Sequence, residues 1–104
     1  MPPHFRINVQ PRASNDIDEI CSFIEQTSPQ NAVLVARRIR DVVDSLQHLP
    51  HRCKVYRSSR NANLTVRATS AWPFIIYYRV SDSRRTVDVV AVIHGARIQP
   101  KRFT

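Results

Sequence analysis

Three strand-like runs crowd the second half of this 104-residue chain, and any fold it adopts must cover their apolar side. Phe74 to Val80 is a nearly continuous apolar and aromatic run, the pattern of an interior strand covered on both faces. Before it, Leu64, Val66 and Ala68 alternate with Thr65, Arg67 and Thr69, the period of a half-buried strand. After it, Thr86 to His94 is a long β-branched run that stops at Gly95. Trp72-Pro73 and the polar segment Ser81 to Arg85 separate the runs, so short connections should join them into an antiparallel meander.

The cover has to come from upstream. Phe5, Ile7 and Val9 alternate with polar residues as a first strand, which Pro11 closes. Asn15 or Asp16 can then cap a helix carrying Ile17, Ile20, Cys21 and Ile24 on one stripe, with Asp16, Asp18 and Glu19 near its positive end. Ser28-Pro29 restarts the chain with a capping hydroxyl and a proline whose missing N–H costs nothing in a first turn. Ala32, Val35, Ala36, Ile39, Val42, Val43 and Leu46 step by three and four along the second helix. Arg37–Asp41 and Arg40–Asp44 stand at i,i+4 on its other faces, and Pro50 ends it. The segment from His51 to Asn63 has little periodicity and reads mostly as loop. The expected order is β-α-α-β-β-β in one domain over residues 1–104. This is an α+β fold whose helical hairpin packs on one face of a mainly antiparallel four-stranded sheet.

A chain of this length buries roughly 60–70% of its unfolded surface, enough for a single core. No apolar run approaches the ~20 residues of a membrane helix. Met1 to Phe5 lacks the apolar stretch of a secretory signal, so a soluble cytoplasmic domain with no membrane partner is expected. One glycine cannot build a phosphate-cradling loop. Placed where the last strand gives way to the tail, Gly95 should instead serve a backbone conformation that other residues resist. No HExxH occurs, His48 and His51 fit no helical metal pair, and Cys21 and Cys53 have no metal or disulfide spacing. Neither a metal nor a cofactor is expected. Cys21 reads as a small hydrophobe on its helix and Cys53, between Arg52 and Lys54, as structural filler.

The charge is segregated. Residues 1–51 carry a net −1, and residues 52–104 carry +9, with Asp82 and Asp88 as the only acids there. Fourteen of the sixteen basic residues are Arg, whose planar fork suits phosphate and carboxylate, so a polyanion or an acidic protein is the expected partner. Arg67, Arg79 and Arg97 could converge on one face or edge of the sheet, with His94 close enough in sequence to join them. Such a group would bind phosphate and stabilise developing negative charge, and the histidine could move a proton.

Several motifs occur together along the chain. They are Asp16-Ile17-Asp18-Glu19-Ile20, the Ser28-Pro29 helix start, a helix ending at Leu49-Pro50, Tyr77-Tyr78-Arg79-Val80, and the strand end His94-Gly95-Ala96-Arg97. In this combination the chain resembles the RelE/ParE superfamily of toxins from bacterial toxin–antitoxin modules, over almost its whole length. The resemblance implies one of two activities on one fold. RelE-like members are ribosome-dependent endoribonucleases acting on mRNA; ParE-like members inhibit DNA gyrase and need no nuclease site.

Mapped onto the nuclease pattern, Arg97 falls where RelE-like proteins place an Arg after the last strand. Their other Arg falls on Ile75, their tail Tyr on Phe103, and their two lysines near Val66 and Ala68, leaving Arg67 nearby. Losing a phenol and an Arg removes proton-transfer and charge-stabilising capacity, each typically worth ~10²-fold or more. The resemblance therefore implies a ParE-like gyrase poison, with a RelE-type ribonuclease or a non-toxic member that only binds antitoxin as alternatives. Arg97, His94 and Arg67 would be catalytic in a nuclease. Arg67, Arg79, Arg97, Lys101 and Arg102 would contact the target, gyrase or else ribosome and mRNA. In each case an acidic antitoxin encoded by a neighbouring gene is the implied partner.

Overall fold

A computed structural model describes residues 4–97 and 99–101. Strand β1 (Arg6–Val9) leads into helices α1 (Pro11–Glu25) and α2 (Pro29–Ser45). Four strands follow: β2 (Val55–Arg57), β3 (Val66–Ala71), β4 (Phe74–Ser81) and β5 (Thr86–His94). They form one sheet in the order β1-β5-β4-β3-β2, with β1 parallel to β5 and the other pairs antiparallel. The architecture is the expected α+β fold with one strand more than the four expected. The addition is β2, in the stretch expected to be loop. Its three residues are all exposed and pair irregularly with β3 at the sheet edge, so no buried periodicity marks them in the sequence.

Helix α1 begins at Pro11, a full turn before the expected Asn15 or Asp16 cap. Proline is preset for a first turn, Ser14 N–H already reaches Gln10 O at 3.0 Å, and Ala13 is fully buried. Freed from capping, the Asp16 carboxylate accepts the backbone N–H of Val92 at 3.0 Å and lies 3.7 Å from Arg12, fastening α1 to β5. Helix α2 starts as expected, with Ser28 Oγ accepting from Asn31 N–H at 3.3 Å. The Arg37–Asp41 and Arg40–Asp44 pairs do not close to ion-pair distance; the described ion pairs are Arg12–Asp16 and His51–Asp82.

The sheet has two unlike sides. Phe74, Ile76, Tyr78 and Val80 of β4 and Val87, Val89 and Val92 of β5 face Ala13, Ile39, Val43 and Leu46 of the hairpin. The opposite side, here the open face, holds a smaller cluster of Val66, Tyr77, Val90 and Ala91, with Ala68, Ile75 and Ile93 against it. A register shift lets Tyr77 pair with Ala91 and Tyr78 with Val89, so the Val-rich β5 serves both sides. The alternation expected from Leu64 is met only from Val66, since Leu64 closes a 3-10 turn (Ala62–Leu64) and is exposed. Val66 and Ala68 point away from the helices, and Arg67 points toward the hairpin side.

Gly95 corrects a second expectation. Its φ is not positive; a Cβ there would stand 3.2 Å from Pro73 O, whose carbonyl accepts Gly95 N–H at 2.8 Å. Close approach to the β3–β4 connection, rather than an unusual dihedral, explains the residue. The left-handed positions belong to Leu49 (φ 47°) and Arg85 (φ 54°).

Candidate functional site

At the end of the sheet where β4 begins and β5 ends, a groove of about 830 Å³ runs between the helical hairpin and the strands. Ile20, Phe23 and Ile24 of α1, Val35 of α2, and Phe74 and Val92 of the sheet give it apolar walls. Arg12, Asp16, Glu19, His94 and Arg97 supply its charge and hydrogen-bonding capacity. Phe23 is 74% exposed, a large apolar side chain left uncovered beside this groove.

The turn after β5 fixes the polar end of the groove. His94 Nδ1 accepts Ala96 N–H at 3.0 Å, and the ring meets Phe74 edge-on at 5.4 Å between centroids. With Nδ1 accepting, the neutral imidazole carries its proton on Nε2 and presents a donor there. Arg97 N–H reaches His94 O at 3.0 Å, closing a tight turn, and Gln99 Nε2 donates to the carbonyls of both His94 (3.1 Å) and Arg97 (2.6 Å). The exposed Arg97 guanidinium has no hydrogen-bond or ion-pair partner among the described residues, so it remains available for an anion.

The expected convergence does not occur. Arg67 Nη1 donates to His51 O (2.9 Å) and Cys53 O (2.8 Å), tying the segment after α2 to β3 on the helix-facing side. Arg67 stands opposite Tyr78, four register positions from the Ala71–Phe74–His94 row, or ~13 Å along the strands. Arg79 is opposite Val66 and Asp88 and shares the open face with Tyr77. Only His94 and Arg97 share a site. The period-two rule separates Arg67 from Arg79: residue 67 is out of phase with residue 79 once Val66 pairs with Arg79.

Beyond Gly95 the chain folds back over the open face. Tyr77 Oη donates to Gln99 Oε1, and Tyr56 Oη to Pro100 O at 2.8 Å, which brings exposed Lys101 beside the β2 edge. The Tyr56 and Tyr77 rings meet edge-on at 4.7 Å. Burial first, and Tyr56 second, push the Tyr77 hydroxyl up to about 12. Burial also pushes up Tyr78, whose Oη donates to Pro50 O at 2.6 Å. Arg102 and Phe103, expected as a target contact and as the substitute for a catalytic tyrosine, lie outside the described residues.

Sequence reasoning missed the Asp16–Val92 fastening and the exposure of Trp72. A carboxylate in a helical first turn reads as a dipole partner, and its reach to a strand is a tertiary fact. Trp72 did carry a signal: the single tryptophan stands in a turn rather than in an apolar run.

The ParE toxin family of type II toxin–antitoxin systems (parDE) matches residues 7–99. Y4kP, a candidate toxin of Sinorhizobium fredii, is 32% identical over 96 residues, covering 92% of this chain and 94% of the relative. Among solved structures, the chromosomal ParDE toxin–antitoxin system of P. aeruginosa superposes with a TM-score of 0.68 at 20% identity, over 88% of this chain and 96% of that one. The archaeal RelE–RelB complex of Pyrococcus horikoshii gives 0.64 at 13% identity, over 91% and 99%. The RelBE2 toxin–antitoxin complex of Mycobacterium tuberculosis gives 0.61 at 18% identity, over 91% and 95%. These solved structures share the two-helix, mainly antiparallel fold; with the family match spanning nearly the whole sequence, the chain belongs to the ParE toxin family of type II toxin–antitoxin systems.

Proposed function

We propose that this toxin arrests growth by poisoning DNA gyrase, without chemistry of its own, and that an acidic antitoxin from a neighbouring gene neutralises it. The observation that carries this reading is the separation of the basic residues. A phosphoryl-transfer site needs its acid, base and charge-stabilising groups within hydrogen-bond reach of one phosphate. Here Arg67 is committed to two loop carbonyls, Arg79 lies on the other side of the sheet, and the Tyr77 hydroxyl is engaged by Gln99. Ile75 and Phe103 add two side chains that cannot replace an Arg and a phenol.

His94 and Arg97 in one groove favour a second reading, ribosome-dependent mRNA cleavage, in which Nε2 of His94 would transfer the proton and Arg97 would meet the phosphate. Induced expression with plasmid supercoiling and mRNA integrity followed in the same culture separates the two. Gyrase poisoning gives relaxed plasmid and intact message. Message cut on ribosomes with normal supercoiling replaces the first reading by the second. Unimpaired growth without antitoxin removes both and leaves a binding-only protein.

A further inference from the structure

On the open face, lined by other residues than the groove that holds Arg97, a second cavity of about 490 Å³ lies between β2 and the β3–β4 connection. Tyr56 and Trp72 line it, Ala68, Ser70 and Ile75 form a floor of mostly small side chains, and Lys54 stands at its rim. Its volume falls in the range of small-molecule sites, about 300–1,000 Å³. From the geometry and charge of this cavity we infer that it binds an unpaired nucleotide of a single-stranded nucleic acid, the base against Trp72 and Tyr56 and the phosphate toward Lys54.

Three independent observations carry the inference. Trp72 is 74% exposed and lines the same cavity as Tyr56, which leaves two aromatic side chains together at one concave surface. Its backbone is anchored to α2, because Arg38 Nη1 donates to Trp72 O at 2.9 Å, and the ring projects from that anchored position. Tyr56 is set as well: its hydroxyl is held by Pro100 O and its ring abuts Tyr77, so a ligand meets a ring already oriented. One oriented ring and one exposed ring on an anchored backbone, over a floor of mostly small side chains, suit a flat π-system better than a helix or a branched side chain.

Charge supplies the third observation. Between Asp44 and Asp82 the sequence has no acid, and of the cations in that stretch Lys54 lines the cavity while Arg79 lies on the same face. Lys54 and Arg57 flank Tyr56, and the folded-back tail sets Lys101 beside it. A cationic rim around aromatic walls is how single strands are held without reading their sequence: phosphates meet the cations and bases stack. Duplex is disfavoured, since its bases are stacked inside and present no face to Trp72. Ser70, exposed on the floor, offers a hydroxyl to a base edge.

Trp72 is the sole tryptophan, so the site carries its own reporter. Purified protein is titrated with a thymidine oligomer, a uridine oligomer, a duplex, inorganic polyphosphate and an acidic peptide at fixed salt. Single strands should quench Trp72 emission saturably and bind about tenfold or more tightly than polyphosphate, the margin that stacking supplies. The ratio of the two oligomers identifies whether DNA or RNA is preferred. By anisotropy of a labelled oligomer, Trp72→Ala should weaken binding about tenfold, Trp72→Phe should retain most of it, and Lys54→Ala should lower the salt slope by about one. Polyphosphate, duplex or the acidic peptide binding as tightly as the single strands would overturn the inference, as would unchanged affinity in Trp72→Ala. Oligomer binding is read on the purified protein without gyrase or ribosomes, so its failure leaves the proposed gyrase poisoning untouched.

Discussion

Arg67 and Arg97 show how one residue type divides between architecture and contact. Arg67 is half-buried and gives both its hydrogen bonds to carbonyls that follow α2; Arg97 is exposed and gives none among the described residues. Hydrogen bonds from a charged donor are worth about 1.5–3 kcal/mol net. Arg67→Ala should therefore lose about 2–3 kcal/mol in urea unfolding, since His51 O and Cys53 O are left without their donor. Arg97→Ala should stay within about 0.5 kcal/mol of the parent, as exposed substitutions do. If Arg97 contacts the target, the same variant should permit growth while remaining folded and able to bind antitoxin. A folded Arg97→Ala that still arrests growth removes Arg97 from the target contact.

At the scale of elements, backbone conformation decides where substitutions help. Leu49 links α2 to the turn at Pro50–Arg52 in the left-handed region, at φ 47°, with its side chain 71% exposed. That conformation costs a non-glycine residue roughly 1–2 kcal/mol, and glycine's extra unfolded-state freedom returns about half of it. Leu49→Gly should thus raise the urea midpoint modestly, by ~0.5–1 kcal/mol in stability; a loss would mean the exposed side chain packs in a way its solvent exposure does not suggest. The same elements show what the sequence could reveal. The α2 stripe, the Ser28 cap and the β4 and β5 runs were all legible, because each buries its apolar residues within a local period. Strand β2 and the Pro11 start of α1 were not. The first buries nothing, and the second depends on Ala13 meeting a core assembled from distant strands. Site geometry was the least legible part, because strand phase decides which face an arginine takes. That phase follows from pairing Val66 with Arg79, which no local pattern encodes.

For the molecule as a whole, the two buried tyrosines set an alkaline limit, and the cationic side chains stand on both sides of the sheet. Tyr77 titrates near 12 in the fold against about 10 in an unfolded chain, and Tyr78 is shifted the same way. The folded state holds these protons longer, so their stabilisation is complete below pH ~10 and is lost as pH rises through the folded values. Thermal unfolding followed from pH 8 to 12 should show Tm falling above pH ~10, and falling less in Tyr77→Phe. Positive charge is distributed over both faces: Arg97 in the apolar groove, Arg79, Lys54 and Lys101 on or beside the open face. Neither place unites all the groups that phosphoryl transfer would need. The most direct measurement adds the purified protein to gyrase, relaxed plasmid and ATP, with a ribosome-programmed message assayed in parallel. Supercoiling should fail and cleaved DNA accumulate while the message stays whole; full supercoiling with a cut message would contradict a toxin that works without a nuclease site.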